Sequence, residues 1–137
     1  MTLVISNLDI GDDTFDSDHG SWNVTRAARD CAAGRHKLHV VSVPELFAAN
    51  RNVEVDTAKV DAMVSDQARL AKAPPLILVI EDDRAWLIEG HHRVRALHRL
   101  RVKECAGYVI EEADAKPYRV YFNGQRIAPW RQGKEDS

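Results

Sequence analysis

The chain has 137 residues, a formal charge of −2 and 45% hydrophobic side chains, which fits one domain with a single sizeable core. That charge balance excludes a globally basic nucleic-acid coat, and no apolar run approaches the roughly 18 residues a bilayer span requires. Cys31 and Cys105 lie far apart and form no paired motif, which argues against a disulfide framework or cysteine-rich zinc site and suits a reducing compartment.

The first residues lack the basic region and long apolar stretch of a secretory signal, so cytoplasmic residence is expected. Residues 2–6 are β-branched and apolar enough for a short strand, and residues 11–20 read as loop. Ser21 is placed to cap a helix in which Val24, Ala27, Ala28, Cys31 and Ala32 fall at helical spacing, with Gly34 stopping it. That spacing makes Cys31 an inert thiol on the apolar face. Residues 38–43 predict a strand, and Pro44 opens a helical turn through Ala48. After a loop at 50–55, Asp56 caps a helix whose stripe is Val60, Met63, Val64 and Ala71; core packing is reason enough for Met63.

Ala73-Pro74-Pro75 breaks that helix. Residues 76–80 and 85–88 form a hairpin around the polar 81–84 turn, and a basic helix and a strand at 105–110 follow. Residues 118–122 and 125–128 flank Asn123-Gly124, a pair that favours a type I′ hairpin turn, and 129–137 read as a loose tail. The order predicts a compact α+β domain with a small mixed sheet and packed helices, plus an added N-terminal helix and C-terminal hairpin.

Charge is uneven along the chain. Asp9, Asp12, Asp13, Asp16 and Asp18 precede the first basic residue, Arg26, whereas 91–103 holds only basic charges. The acidic segment either approaches the basic helix or stays solvated. Metal binding by residues 12–19 is a further reading, although their spacing misses the calcium-loop pattern.

The most informative stretch is residues 87–100: a short apolar strand, a turn at Glu89-Gly90, then a helix opening with His91, His92 and Arg93. A helix N-terminus already carries about half a positive charge and unpaired N–H groups, so basic side chains there call for a phosphate-sized anion in front. Ala96, Leu97 and Leu100 form one stripe with Val94 at its margin. Arg93 extends it inward, where its guanidinium needs a carboxylate or phosphate oxygen. Arg95, His98 and Arg99 project from the other side, as a solvated face or a dock for a polyanion. His91 and His92 cannot share one face, so one donates to phosphate or moves a proton while the other caps locally or faces solvent. Glu89 is a candidate cation ligand, general base or partner of Arg93. Gly90 serves backbone conformation and close ligand approach.

Residues 88–96 resemble the signature of the ParB/sulfiredoxin-like superfamily, whose Gly-x-x-Arg-x-Arg-Ala box is met by Gly90, Arg93, Arg95 and Ala96. Residues 40–46 resemble its opening strand and helical turn, 56–70 its next helix, and 75–79 the strand before the central hairpin. Arg51 falls where a phosphate-site arginine is expected, though without the usual Pro- and Gln-containing box before it. The resemblance covers a core at 38–110, with 1–37 an extension packed on it and 111–137 a hairpin and tail. It implies a nucleotide or phosphodiester site on the residue-90 loop. Superfamily members include CTP-binding partition proteins, ATP-using sulfiredoxins, free-serine kinases and ParB-like nucleases. His91 stands where a sulfiredoxin carries its cysteine, and the residues after Ile110 do not read as a helix-turn-helix.

The expected function is therefore Mg²⁺-dependent phosphoryl or phosphodiester chemistry on an ATP- or CTP-class nucleotide, as an NTPase, nuclease or small-molecule kinase. Gly90, Arg93 and Arg51 would hold phosphate, and His92 would donate to it. Glu89, His91 and His92 would be the catalytic groups, with Glu89 also on the metal. The alternative is a non-catalytic nucleotide-sensing or DNA-associated module of plasmid, phage or chromosome-partition type.

Overall fold

A computed structural model describes residues 4–17 and 19–125. In chain order the elements are β1 (Ile5–Ser6), β2 (Thr14–Ser17), β3 (Gly20–Asn23), α1 (Val24–Ala32), β4 (Lys37–Ser42), α2 (Val43–Ala49), α3 (Thr57–Ser65) and α4 (Gln67–Ala71). There follow β5 (Leu76–Glu81), β6 (Arg84–Glu89), α5 (His91–Arg99), β7 (Glu104–Ile110), α6 (Glu112–Ala115), a 3₁₀ turn (Lys116–Tyr118) and β8 (Arg119–Phe122). The class is α+β, as the sequence implies.

The strands form two four-stranded sheets among the described residues, ordered β1-β8-β3-β2 and β4-β7-β5-β6. In the second, β5 runs parallel to β7 while β4–β7 and β5–β6 are antiparallel, so this sheet is mixed. One face of it, through Ile77, Val79, Ile88 and Ile110, packs on Trp22 of β3 and on Ala27 and Cys31 of α1. The other face, through Leu76, Leu78 and Leu87, packs on Leu46 of α2 and Val94 of α5. Ala96 of α5 meets Val60 of α3 and Leu70 of α4 in a third cluster.

Several local expectations need correction. Residues 11–20 are not a loop: they hold β2 and the start of β3, a hairpin whose polar side chains find internal partners. Ser21 lies in β3 and its hydroxyl donates to Asp16 (2.5 Å). The helix cap is Asn23, whose side chain accepts from the Arg26 N–H. Asp56 does cap α3, but a second cap at Asp66 divides the expected single helix into α3 and α4. The turn joining β5 to β6 tightens to Asp82-Asp83, both at positive φ, the geometry of a two-residue type I′ hairpin. The expected C-terminal hairpin keeps its Asn123-Gly124 turn and a Phe122–Gln125 bridge, and β8 pairs with β1 and β3. Its second arm beyond Gln125, the tail, and residues 2–3 of the first strand lie outside the described residues.

Candidate functional site

Gly90 sets the start of α5. Its φ is +110°, a left-handed conformation that L side chains rarely adopt, and a Cβ there would run into the Cδ2 atom of buried Leu76. The glycine therefore answers to backbone geometry and to the core behind it.

In front of this helix start is a cavity of about 240 Å³, lined by Asp13, Thr14, Phe15, Val24, Val53, Glu54, Ile88, Glu89, Gly90, His91 and His92. The acidic N-terminal segment does approach the basic helix, through Asp13. Three carboxylates and no lysine or arginine line the cavity, so the electropositive mouth expected there is reduced to the helix end, facing acids.

His91 stacks on Phe15, with ring centroids 4.6 Å apart, and its Nε2 lies 2.7 Å from the Leu87 carbonyl oxygen. A carbonyl only accepts, so Nε2 carries the proton and Nδ1 the lone pair. Burial depresses the His91 pKa from 6.5 to about 4, so the ring meets any ligand uncharged at neutral pH. The unfolded chain takes up this proton below about pH 6.5 and the folded one only below about 4, so stability is lost as pH falls through that window. The wild type is expected to lose about 2 kcal/mol between pH 7 and pH 5 that a His91→Phe variant retains. Urea unfolding of both at the two pH values measures it; equal losses would refute it.

His92 faces a different partner. Its Nε2 accepts from the Asp56 backbone N–H at 3.0 Å, which joins the α5 start to the α3 cap and leaves Nδ1–H as the donor. Glu89 is exposed at the end of β6 and lines the same cavity.

Arg93 does not. It is half-buried, its Nη1 donates to the Pro74 carbonyl oxygen, and burial lowers its pKa. It lines a second groove, of about 410 Å³, with Lys59, Ala62, Met63, Asp66, Arg69, Leu70 and Ala73. Arg51 is exposed and belongs to neither cavity lining. The structure thus gathers Glu89, Gly90, His91 and His92, turns Arg93 to the other side of the same helical turn, and leaves Arg51 apart.

Arg95 departs from the solvated face expected of it. Its Nη2 donates to the carbonyls of Arg51 (2.7 Å) and Val53 (3.0 Å), and its guanidinium lies 5.2 Å from the Phe47 ring centroid. It fastens the 50–55 loop, which carries Val53 and Glu54 to the cavity. His98 and Arg99 are exposed as expected; Arg99 pairs with Asp61 at 2.7 Å. Sequence reasoning missed Asp13, Glu54, Lys59 and Arg69. The one available signal was Lys59 and Met63, four apart on one helix face.

Residues 40–126 match the family described as "Putative ParB-like nuclease", a span that includes the α5 turn, both walls of the basic groove and the mixed sheet from Val40 of β4 onward. The chain belongs to this ParB-like family. No curated protein and no solved structure matches it. The ParB-like domain contains no helix, among its described residues, long and apolar enough to cross a membrane.

Cys31, which precedes the matched span, is buried, and burial pushes its thiol up to about 11. It is the inert core thiol that its place on the apolar face implies. Asp12 accepts from Asn23 Nδ2 (2.8 Å) and from the Asp9 N–H (3.0 Å), contacts that hold its carboxyl below the usual range. No group of three or more His, Cys, Asp or Glu side chains among the described residues is arranged to hold a metal.

Proposed function

We propose that this ParB-like domain binds a nucleotide of the ATP or CTP class through its phosphates and performs Mg²⁺-dependent phosphoryl or phosphodiester chemistry. The observation carrying this reading is the groove in which Lys59, Arg69 and Arg93, with Asp66 the one carboxylate among them, stand beside Ala62, Met63, Leu70 and Ala73. Cations matched to phosphate oxygens, set against apolar surface for a base or ribose, are what a nucleotide requires. Arg93 suits the phosphate role because its other partner is only a neutral carbonyl.

The acid-lined cavity would serve the reacting end. Glu89 is exposed and would act as a base or as one carboxylate ligand. Mg²⁺ commonly takes only one or two protein carboxylates, together with phosphate oxygens and water, so the lack of a three-residue cluster is compatible with it. Bound there, the ion would neutralise phosphate charge. The His92 Nδ1–H and the first N–H groups of α5 would donate to phosphate oxygens, Arg51 would approach from the 50–55 loop, and His91 would offer its Nδ1 lone pair.

A panel of nucleoside di- and triphosphates with and without Mg²⁺ tests this. A ligand at a hundredfold its Kd adds about 2.7 kcal/mol, roughly 8 °C in Tm for a domain this size. Arg93→Ala and Lys59→Ala should each abolish most of that rise while keeping the ligand-free Tm within a few degrees. No rise with any nucleotide would defeat the proposal.

A second reading, a DNA-associated regulatory module, is supported by one further observation. His98, Arg99, Arg101 and Lys103 line a groove of about 590 Å³ with Pro44 and Val102, and its lining holds no carboxylate, although Arg99 is paired with Asp61 outside it. On that reading DNA binding falls steeply with salt and no nucleotide is turned over.

A further inference from the structure

β4 ends the mixed sheet: one side pairs with β7, and no described strand pairs with the other. Its six residues run in unbroken register from Lys37↔Val109 to Ser42↔Glu104, without bulge or proline. The Val43 N–H donates to the Lys103 carbonyl (3.0 Å). Antiparallel ladders alternate, so Lys37, His39 and Val41 also turn their backbone groups toward β7. Those of Leu38, Val40 and Ser42 then point out from the open edge. Proteins normally blunt such an edge with charge, bulges or proline. Here the only strand charge near it is Lys37, at the extreme end.

The side chains agree with the backbone. Leu38 and Val40 are 55% and 73% exposed and share one sheet face with Ala106, the cross-strand partner of Val40. Neither α1 nor the first sheet covers them.

We propose that this edge is the dyad interface of a homodimer, with β4 pairing antiparallel to β4 of a second copy about Val40. In that register Val40 faces Val40 of the second copy and Leu38 faces its Ser42. All three outward-pointing residues are then satisfied, and the two mixed sheets become one eight-stranded sheet. A two-fold axis keeps equivalent faces on one side, so both Leu38–Val40 pairs merge into one apolar strip. Charge favours a second copy over an unrelated strand. Lys37 at the start of β4 comes beside the other copy's far end, where Glu45 and Glu104 outnumber Lys103, while Arg35 is already paired with its own Asp30 at 3.4 Å. Lys37 meets Val43 of the second copy, never another cation.

Sedimentation across micromolar concentrations is expected to show wild-type dimers and Val40→Lys monomers. The two should share one circular dichroism spectrum and Tm at low concentration, because Val40 touches no core. In a Cys105→Ser background, Val40→Cys should cross-link to itself under mild oxidation, since facing hydrogen-bonded residues sit about 5.5 Å apart, within disulfide reach. Leu38→Cys should not, its twin lying roughly 15 Å away. A monomeric wild type, or a dimer that survives Val40→Lys, overturns the proposal. Cross-linking through Leu38→Cys rather than Val40→Cys overturns this register.

Discussion

Glu81→Ala is expected to cost about 3–5 kcal/mol of unfolding free energy, because it strands a buried charge. Arg119 is 1% exposed and its guanidinium pairs with the Glu81 carboxylate. Nη1 donates to the His19 carbonyl at 2.9 Å, and the group lies 3.8 Å from the Trp22 ring centroid. Nε has no hydrogen-bond partner among the described residues, so the arrangement has little left there with which to replace a lost carboxylate. Burial lowers the Arg119 pKa to about 10, which still leaves it charged at neutral pH. Glu81 belongs to the mixed sheet and Arg119 to the other, so this pair joins the two layers across the β2–β3 hairpin. Glu81→Gln, which keeps an acceptor, should recover part of the loss. Arg119→Met should cost less than Glu81→Ala, because it removes the charge itself. Urea unfolding measures all three; a Glu81→Ala loss under 1 kcal/mol would contradict the argument.

Gly90→Ala is expected to cost about 3 kcal/mol, from two sources. A side chain at φ +110° is strained by roughly 1–2 kcal/mol, and the new methyl must displace Leu76, whose overpacking adds about 1–3 kcal/mol. A double-mutant cycle separates them: Gly90→Ala should cost less in a Leu76→Ala background, by the overpacking share alone. If the costs simply add, the strain is the whole effect. Moving Gly90 also moves the first turn of α5, so any nucleotide-dependent rise in Tm should shrink in Gly90→Ala even where the domain remains folded.

The β5–β6–α5 unit was legible because each of its signals is local. Two apolar runs, a polar turn and a glycine before a basic helical run all lie within reach of one another along the chain. The β2–β3 hairpin was not, since Thr14–Ser17 and Gly20–Asn23 are short and polar. Their burial is stabilised by contacts such as Asn23 Nδ2 to the Asn7 carbonyl (2.9 Å), which no periodicity reveals. Arg95 misled for a related reason: helical angle places it away from the apolar stripe, but the carbonyls it binds come from a loop more than forty residues earlier. Lys59 and Arg69 lie outside the basic run at 91–103 and drew no reading from the sequence. Only the break at Asp66 and the docking of α3 and α4 on α5 bring them beside Arg93.

The partition of α5's first turn has an electrostatic corollary. His92 looks into a chamber lined by three acids and Arg93 into one where three bases outnumber a single acid, Asp66, and a single peptide bond separates the two residues. A cation held in one and an anion held in the other would attract across that turn, so filling either chamber would tighten the other by the same factor.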